Sequence, residues 1–134
     1  LAAVHDTTPC GRLFDAVARP VADNGRRFRA LRIGDADDLA VLRAISRGEF
    51  VTAGFRNREL RPLLYPKSLT ALTTEQRRLS AKVSRKLRLL RAHGLIRKIS
   101  RTHRYQLTER GQLLAAALHA TRDANIKQLV REAA

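Results

Sequence analysis

Cysteine is nearly missing from this sequence: Cys10 is the only one in 134 residues. An intramolecular disulfide and a cysteine-rich metal site are therefore excluded, and a reducing compartment is expected. Aromatic residues make up 4% of the chain, so a surface that stacks unpaired bases has little to build on. No apolar run approaches the roughly 20 residues of a membrane span. No signal-peptide pattern opens the chain, and its first residue is Leu rather than Met. The sequence reads as a piece of a longer protein, whose other domains would be partners of this one.

The groupings that catalysis needs are missing too. His5, His93, His103 and His119 are scattered, with no HxxxH spacing that would offer two metal ligands on one helix face. The seven glycines are isolated, so no phosphate-binding loop is formed. Asp37 and Asp38 are explained by the start of a helix rather than by acid–base chemistry. His5, Asp6 and Cys10 share a stretch that reads as coil. No enzymatic activity, cofactor or metal is expected.

A further absence is local. From Arg77 to Arg104 there are 11 basic residues and no acid. The whole chain carries 27 Lys and Arg against 12 Asp and Glu, a net charge of +15. Eleven of those 15 surplus charges thus fall within 28 consecutive residues. Solubility does not require acids to be excluded over such a length, and a positive field of this density attracts a polyanion.

What is present is a series of short elements that suits one domain. In residues 1–34, the segments LFDAVARPV and RRFRALRI flank Asn24-Gly25, a strong turn signal, and predict a β-hairpin after an opening coil. Pro20 would keep its first strand at an edge. DADDLAVLRAISRGEF predicts a helix capped by Asp35 and ended by Gly48, with Leu39, Leu42 and Ile45 at helical spacing. FRNRELRPLLYP predicts a second helix with Asn57 as N-cap; Pro62 makes it short and kinked or delays its start. PKSLTALT is a connector.

The third helix carries the clearest signals. Thr73 and Gln76 fit a capping box, and Gly94 suits the position just past the last turn, near Ala92. Leu79, Val83, Leu87 and Leu90 form one narrow stripe that should face the core. Arg77, Arg78, Ala81, Ser84, Arg85 and Arg88 fall opposite, with Lys82 and Lys86 at the flanks. Arginines on such a face have the reach to read guanine edges in a major groove, and the small Ala81 and Ser84 allow close approach. After Gly94 the period becomes extended. LIRKIS and RYQLT predict two strands around the tip Arg101-Thr102-His103, with Tyr105 and Leu107 on the buried side. Arg97, Lys98, Arg101, Thr102, His103 and Arg104 place charge and polar groups on this hairpin. Thr108 caps a last helix.

The segment LLRAHGLIRKISRTHRYQLTERG resembles the corresponding region of winged helix-turn-helix proteins of the MarR and PadR type. There a recognition helix turns at a Gly-Leu-Ile corner, runs through a wing, and closes on Tyr-x-Leu-Thr-x-x-Gly. Tyr105, Leu107, Thr108 and Gly111 stand at those positions here. GRRFRALRIGD, FRNREL and THRYQLT are similar to the C-terminal region of a widespread group of longer bacterial proteins. The resemblance covers about residues 35–120. It implies a mainly α fold with a small β-hairpin wing, preceded here by the N-terminal hairpin. It divides the chain into an extension, 1–34, and a winged-helix domain, 35–134.

The function so implied is sequence-specific binding of double-stranded DNA through a recognition helix at about 74–92 and a basic wing at 95–107. The chain would act as a transcriptional regulator or as the DNA-binding module of a larger protein, in the cytoplasm with the nucleoid. The expected contacts are the residues named above on the third helix and hairpin. An RNA-binding or ribosome-associated winged helix and a protein-interaction winged helix are the alternatives. The apolar side of the last helix suggests a homodimer through 112–130, with a monomer whose last helix folds back on residues 1–34 as the competing arrangement.

Overall fold

The computed structural model describes residues 9–133. The chain is mostly helical, with two small antiparallel sheets. Helix α1 spans Pro9–Val17. The sequence predicted coil and then a strand here. The spacing of Leu13 and Val17 instead puts both on one helix face, where they are buried, and α1 packs on the last helix. Residues 1–8, including His5 and Asp6, lie outside the described part.

The N-terminal hairpin forms as expected, but it is short: β1 is Val21–Asp23 and β2 is Arg26–Phe28, with Val21 opposite Phe28. Asn24 and Gly25 both take positive φ, 49° and 76°. A two-residue turn of this hand requires that, and Asn-Gly tolerates it. Helix α2, Ala36–Ile45, is capped by Asp35, whose carboxylate accepts from the Asp37 N–H at 2.8 Å. It stops at Ser46 rather than Gly48. Arg47 is extended, and Gly48 opens a further helix, α3, Gly48–Ala53, which turns Phe50 into the core.

Two residues of strand then appear that the sequence did not announce: β3, Phe55–Arg56. They pair with the later hairpin, Phe55 opposite Tyr105. Gly54 before them has φ 76°, and a side chain there would press on the Tyr105 carbonyl. Helix α4, Asn57–Leu64, begins at Asn57 instead of being capped by it. Arg56 holds the cap position, and its N–H donates to the Glu59 carboxylate at 2.9 Å. This frees the Asn57 amide to reach the next long helix. Pro62 sits inside α4 and removes one of its hydrogen bonds. A 3₁₀ turn at Pro66–Thr70 serves as the connector.

Helix α5 spans Thr73–Ala92. The expected Thr73 cap is not made. Leu72 occupies the cap position without a side-chain bond, and the Gln76 amide donates to the Ala71 carbonyl. The other end is as expected: Gly94 has φ 74°, its N–H donates to the Arg91 carbonyl, and the Leu95 N–H donates to that of Leu90. Those two bonds satisfy carbonyls that the helix end would leave open. Strands β4, Ile96–Lys98, and β5, Arg104–Leu107, follow, and the sheet order is β3-β5-β4. The Thr108 hydroxyl accepts from the Gly111 N–H and so caps α6, Glu109–Ala133.

One core serves the described chain. Phe55, Leu60, Leu87, Leu95, Ile96 and Leu114 are almost fully buried, and Leu13, Val17 and Leu31 from the N-terminal segment join the same cluster. Gly111 is buried beside Leu95 and Leu107, where a side chain would run into the Leu95 carbonyl. Among the described residues no helix is long and apolar enough to cross a membrane.

Candidate nucleic-acid interface

Helix α5 is sunk into the protein along its back. Leu79, Val83, Leu87 and Leu90 are buried as the stripe predicts, and Leu89 beside them is buried too. On the outward side Arg77, Arg78, Ala81, Arg85 and Arg88 are exposed, while Lys82, Ser84 and Lys86 are half-buried. Arg78 pairs with Glu75 one turn back, at 2.6 Å. That contact holds the Glu75 carboxyl below its ordinary range and raises the Arg78 guanidinium. No ion pair within the described residues engages Arg77, Arg85 or Arg88.

Two of the half-buried residues are committed inward. The Ser84 hydroxyl accepts from the Asn57 side chain at 2.9 Å, and the same amide group donates to the Ser80 carbonyl. Asn57 thereby clamps α4 to α5. Lys86 donates to the carboxylate of Asp38 at 2.9 Å. Asp38 was expected only to add charge at a helix start. It is 3% exposed and is a hub: Arg29 donates to both of its oxygens at 2.8 Å, and the Arg32 N–H adds a third donor. Arg29 beside it, outweighing the cost of burial, holds the carboxyl well below the usual range. The sequence did carry a signal for this. Asp38, Val41, Leu42 and Ile45 lie on one helix face, so an acid sits on the core stripe.

The β4–β5 hairpin stands beside this helix. Arg97, Lys98, Arg101 and His103 are exposed. Arg97 donates across the ladder to Gln106. Arg101 adopts φ 61° at the tip. Thr102 builds the turn: its hydroxyl donates to the Ile99 carbonyl and accepts from the Arg104 N–H. The Arg104 side chain lies back along the body, donating to the Ala53 carbonyl at 3.3 Å with Glu59 3.9 Å away. Thr102, Arg104, Ser84 and Lys86 are thus already engaged within the fold, whereas the arginines of the α5 front and the hairpin's outer cations are presented to solvent.

Further basic residues belong to this surface that sequence reasoning did not select. A cleft of about 340 Å³ between α4, α5 and the hairpin tip is lined by Arg58, Arg61, Ser84 and His103, among others. The Nε atoms of Arg56 and Arg61 are buried there without a partner among the described residues. Arg58 and Arg61 stand three apart, which places them on one side of α4. On the opposite flank of α5 a second cleft, about 500 Å³, is lined by Arg26, Arg27 and Arg29 together with Lys82, Arg85, Lys86 and Arg88.

The aromatic side chains lie elsewhere. Phe50 and Phe55 are buried, and Phe14, Phe28, Tyr65 and Tyr105 are half-buried. Phe55 and Tyr105 stack at 6.0 Å across β3 and β5, and Lys82 sits over the Tyr65 ring. Among the described residues no cluster of His, Cys, Asp and Glu could hold a metal ion. No family model matches this chain, and neither a curated protein nor a solved structure matches it.

Proposed function

We propose that this protein binds double-stranded DNA with sequence preference, as a winged helix-turn-helix domain whose recognition helix is α5 and whose wing is the β4–β5 hairpin. It serves as a transcriptional regulator or as the DNA-binding module of a larger protein, acting in the cytoplasm on the nucleoid. The observation that carries the reading is the exposed face of α5. Arg77, Arg85 and Arg88, with Ala81 between them, project from a helix whose other side is anchored in the core. A rigid helix with solvent-facing arginines and a small residue in their midst suits a major groove, about 12 Å wide. Strand β3 ties the hairpin into a three-stranded sheet, which supports a wing of fixed position.

Duplex DNA is favoured over single-stranded RNA because none of the six aromatic side chains is exposed. A single-strand reader needs such rings to stack bases. We also propose a homodimer through α6, in which the two-fold axis brings two recognition helices onto successive turns of one DNA face.

The test is a duplex selected from a random pool by the wild-type protein. Arg85→Ala and Arg88→Ala should each weaken binding to it by about 1–3 kcal/mol, with a smaller loss on random duplex. Wild-type protein that binds single-stranded RNA as tightly as duplex DNA at two salt concentrations would overturn the reading.

A further inference from the structure

The N-terminal hairpin has no role in the reading above, yet it is held against α5 by specific contacts. Asp38 gathers Arg29, just past β2, and Lys86 of α5 on a single buried carboxylate. The His93 ring, 4% exposed at the end of α5, bonds the Arg29 carbonyl at 2.8 Å. These bonds fix the hairpin's direction relative to the helix. They also mean that Arg29 and Lys86, two of the seven cations lining the second cleft, are matched by an acid. Arg26, Arg27, Arg85 and Arg88 have no ion pair within the described residues, and Lys82 lies over Tyr65. The one acid in the hairpin is Asp23, opposite Arg26 in the ladder.

The shape of this cleft suits an extended ligand. One wall is β2 and the residue after it, Arg26 to Arg29, about 10 Å long at the usual extended rise. The other is two turns of helix, Lys82 to Leu89, also about 10 Å long. Around α5 this cleft lies on the flank opposite the one lined by Arg58, Arg61 and His103; Arg85 and Arg88 of the exposed arginine face also line it, and Arg77 and Ala81 lie between the two clefts. A helix inserted in a major groove has a phosphate strand on each side.

We propose that the cleft between the β1–β2 hairpin and α5 grips the phosphate backbone of one DNA strand, so that Arg26 and Arg27 form a second basic arm facing the wing across the recognition helix. The proposal rests on α5 being the DNA-facing helix. Contacts of this kind carry charge but no sequence information.

Salt titrations of duplex binding separate the two ideas. The Arg26→Ala/Arg27→Ala protein should bind selected and random duplex more weakly by the same factor. Its log–log salt slope should be shallower by about 2, near 0.9 for each lost phosphate contact. Arg26→Lys/Arg27→Lys should restore the slope, because the contact is with charge rather than with a base. If the alanine protein melts early, Arg26→Gln/Arg27→Gln gives the same reading with the hairpin's polarity kept. A slope equal to wild type in a folded variant, while Arg77→Ala still loses affinity, overturns the second arm and leaves the recognition helix standing. A wild-type protein with no salt-dependent duplex binding overturns both.

Discussion

Asp38 shows how one side chain can organise a surface it does not belong to. It is buried, accepts from Arg29, Arg32 and Lys86, and so sets the relative position of the N-terminal hairpin, α2 and α5. Asp38→Asn should cost roughly 2–3 kcal/mol of stability, somewhat less than for a fully buried pair because Arg29 can rehydrate. The effect should depend on pH. The folded-state carboxyl titrates below its unfolded value, so the unfolded chain takes up a proton first as pH falls. The stabilisation is complete above about pH 4 and is lost progressively below it. Urea denaturation of both proteins between pH 7 and pH 2 should show the gap narrowing in acid. A constant gap over that range would remove Asp38 as the source.

At the scale of elements, the β4–β5 hairpin contains side chains of two kinds. Thr102 and Arg104 hold its shape, while Lys98, Arg101 and His103 are free to meet a ligand. Lys98→Ala and Arg101→Ala should therefore lower affinity for all duplex sequences alike. On the proposed duplex-binding reading, each should reduce the salt slope by close to 1, because a hairpin of this charge would meet phosphate. Unchanged slopes would take the wing out of the interface. The same scale explains several departures from the sequence reading. A two-residue strand such as β3 has no periodicity to detect, and exists because Phe55 can pair with Tyr105 and bury its ring between Phe50 and Tyr105. Asn57 reads as a cap from its type alone, but a partner on α5 takes its side chain instead.

The whole molecule determines what α6 is for. Its first turns are used internally: Leu114 is buried, Leu113 and Leu118 pack on the core, and α1 lies against it. This contact with residues 9–17 belongs to the fold-back arrangement that competes with a dimer. Toward the other end Leu129 and Val130 are each 64% exposed. A homodimer through 112–130 would therefore have to use the end of the helix rather than its start. Sedimentation equilibrium at micromolar concentration should show a dimer that Leu129→Glu/Val130→Glu converts to a folded monomer. A wild-type monomer under those conditions would sink the dimer and the expectation of a two-fold symmetric site on DNA.

The sequence by itself determined the mainly helical character, the long α5 with its buried leucine stripe, the Asn-Gly hairpin, the Gly94 corner and the β4–β5 strands. Each rests on local spacing or on a residue whose backbone preference is strong, such as glycine at positive φ, and such signals survive without knowledge of neighbours. The candidate DNA-facing residues were legible to the same extent: the pattern on a wheel separated Arg77, Arg85 and Arg88 from the core. Tertiary structure decided which polar groups were already engaged. Lys86, Ser84, Thr102 and Arg104 look free in sequence because their partners, Asp38, Asn57, Ile99 and Ala53, lie on other turns or other elements. It also decided that α1 is a helix, since Leu13 and Val17 find the face of α6, and that Arg26 and Arg27 stand beside α5. No local pattern encodes that juxtaposition. It follows from a buried carboxylate that needs its cations and a core that draws in Leu31.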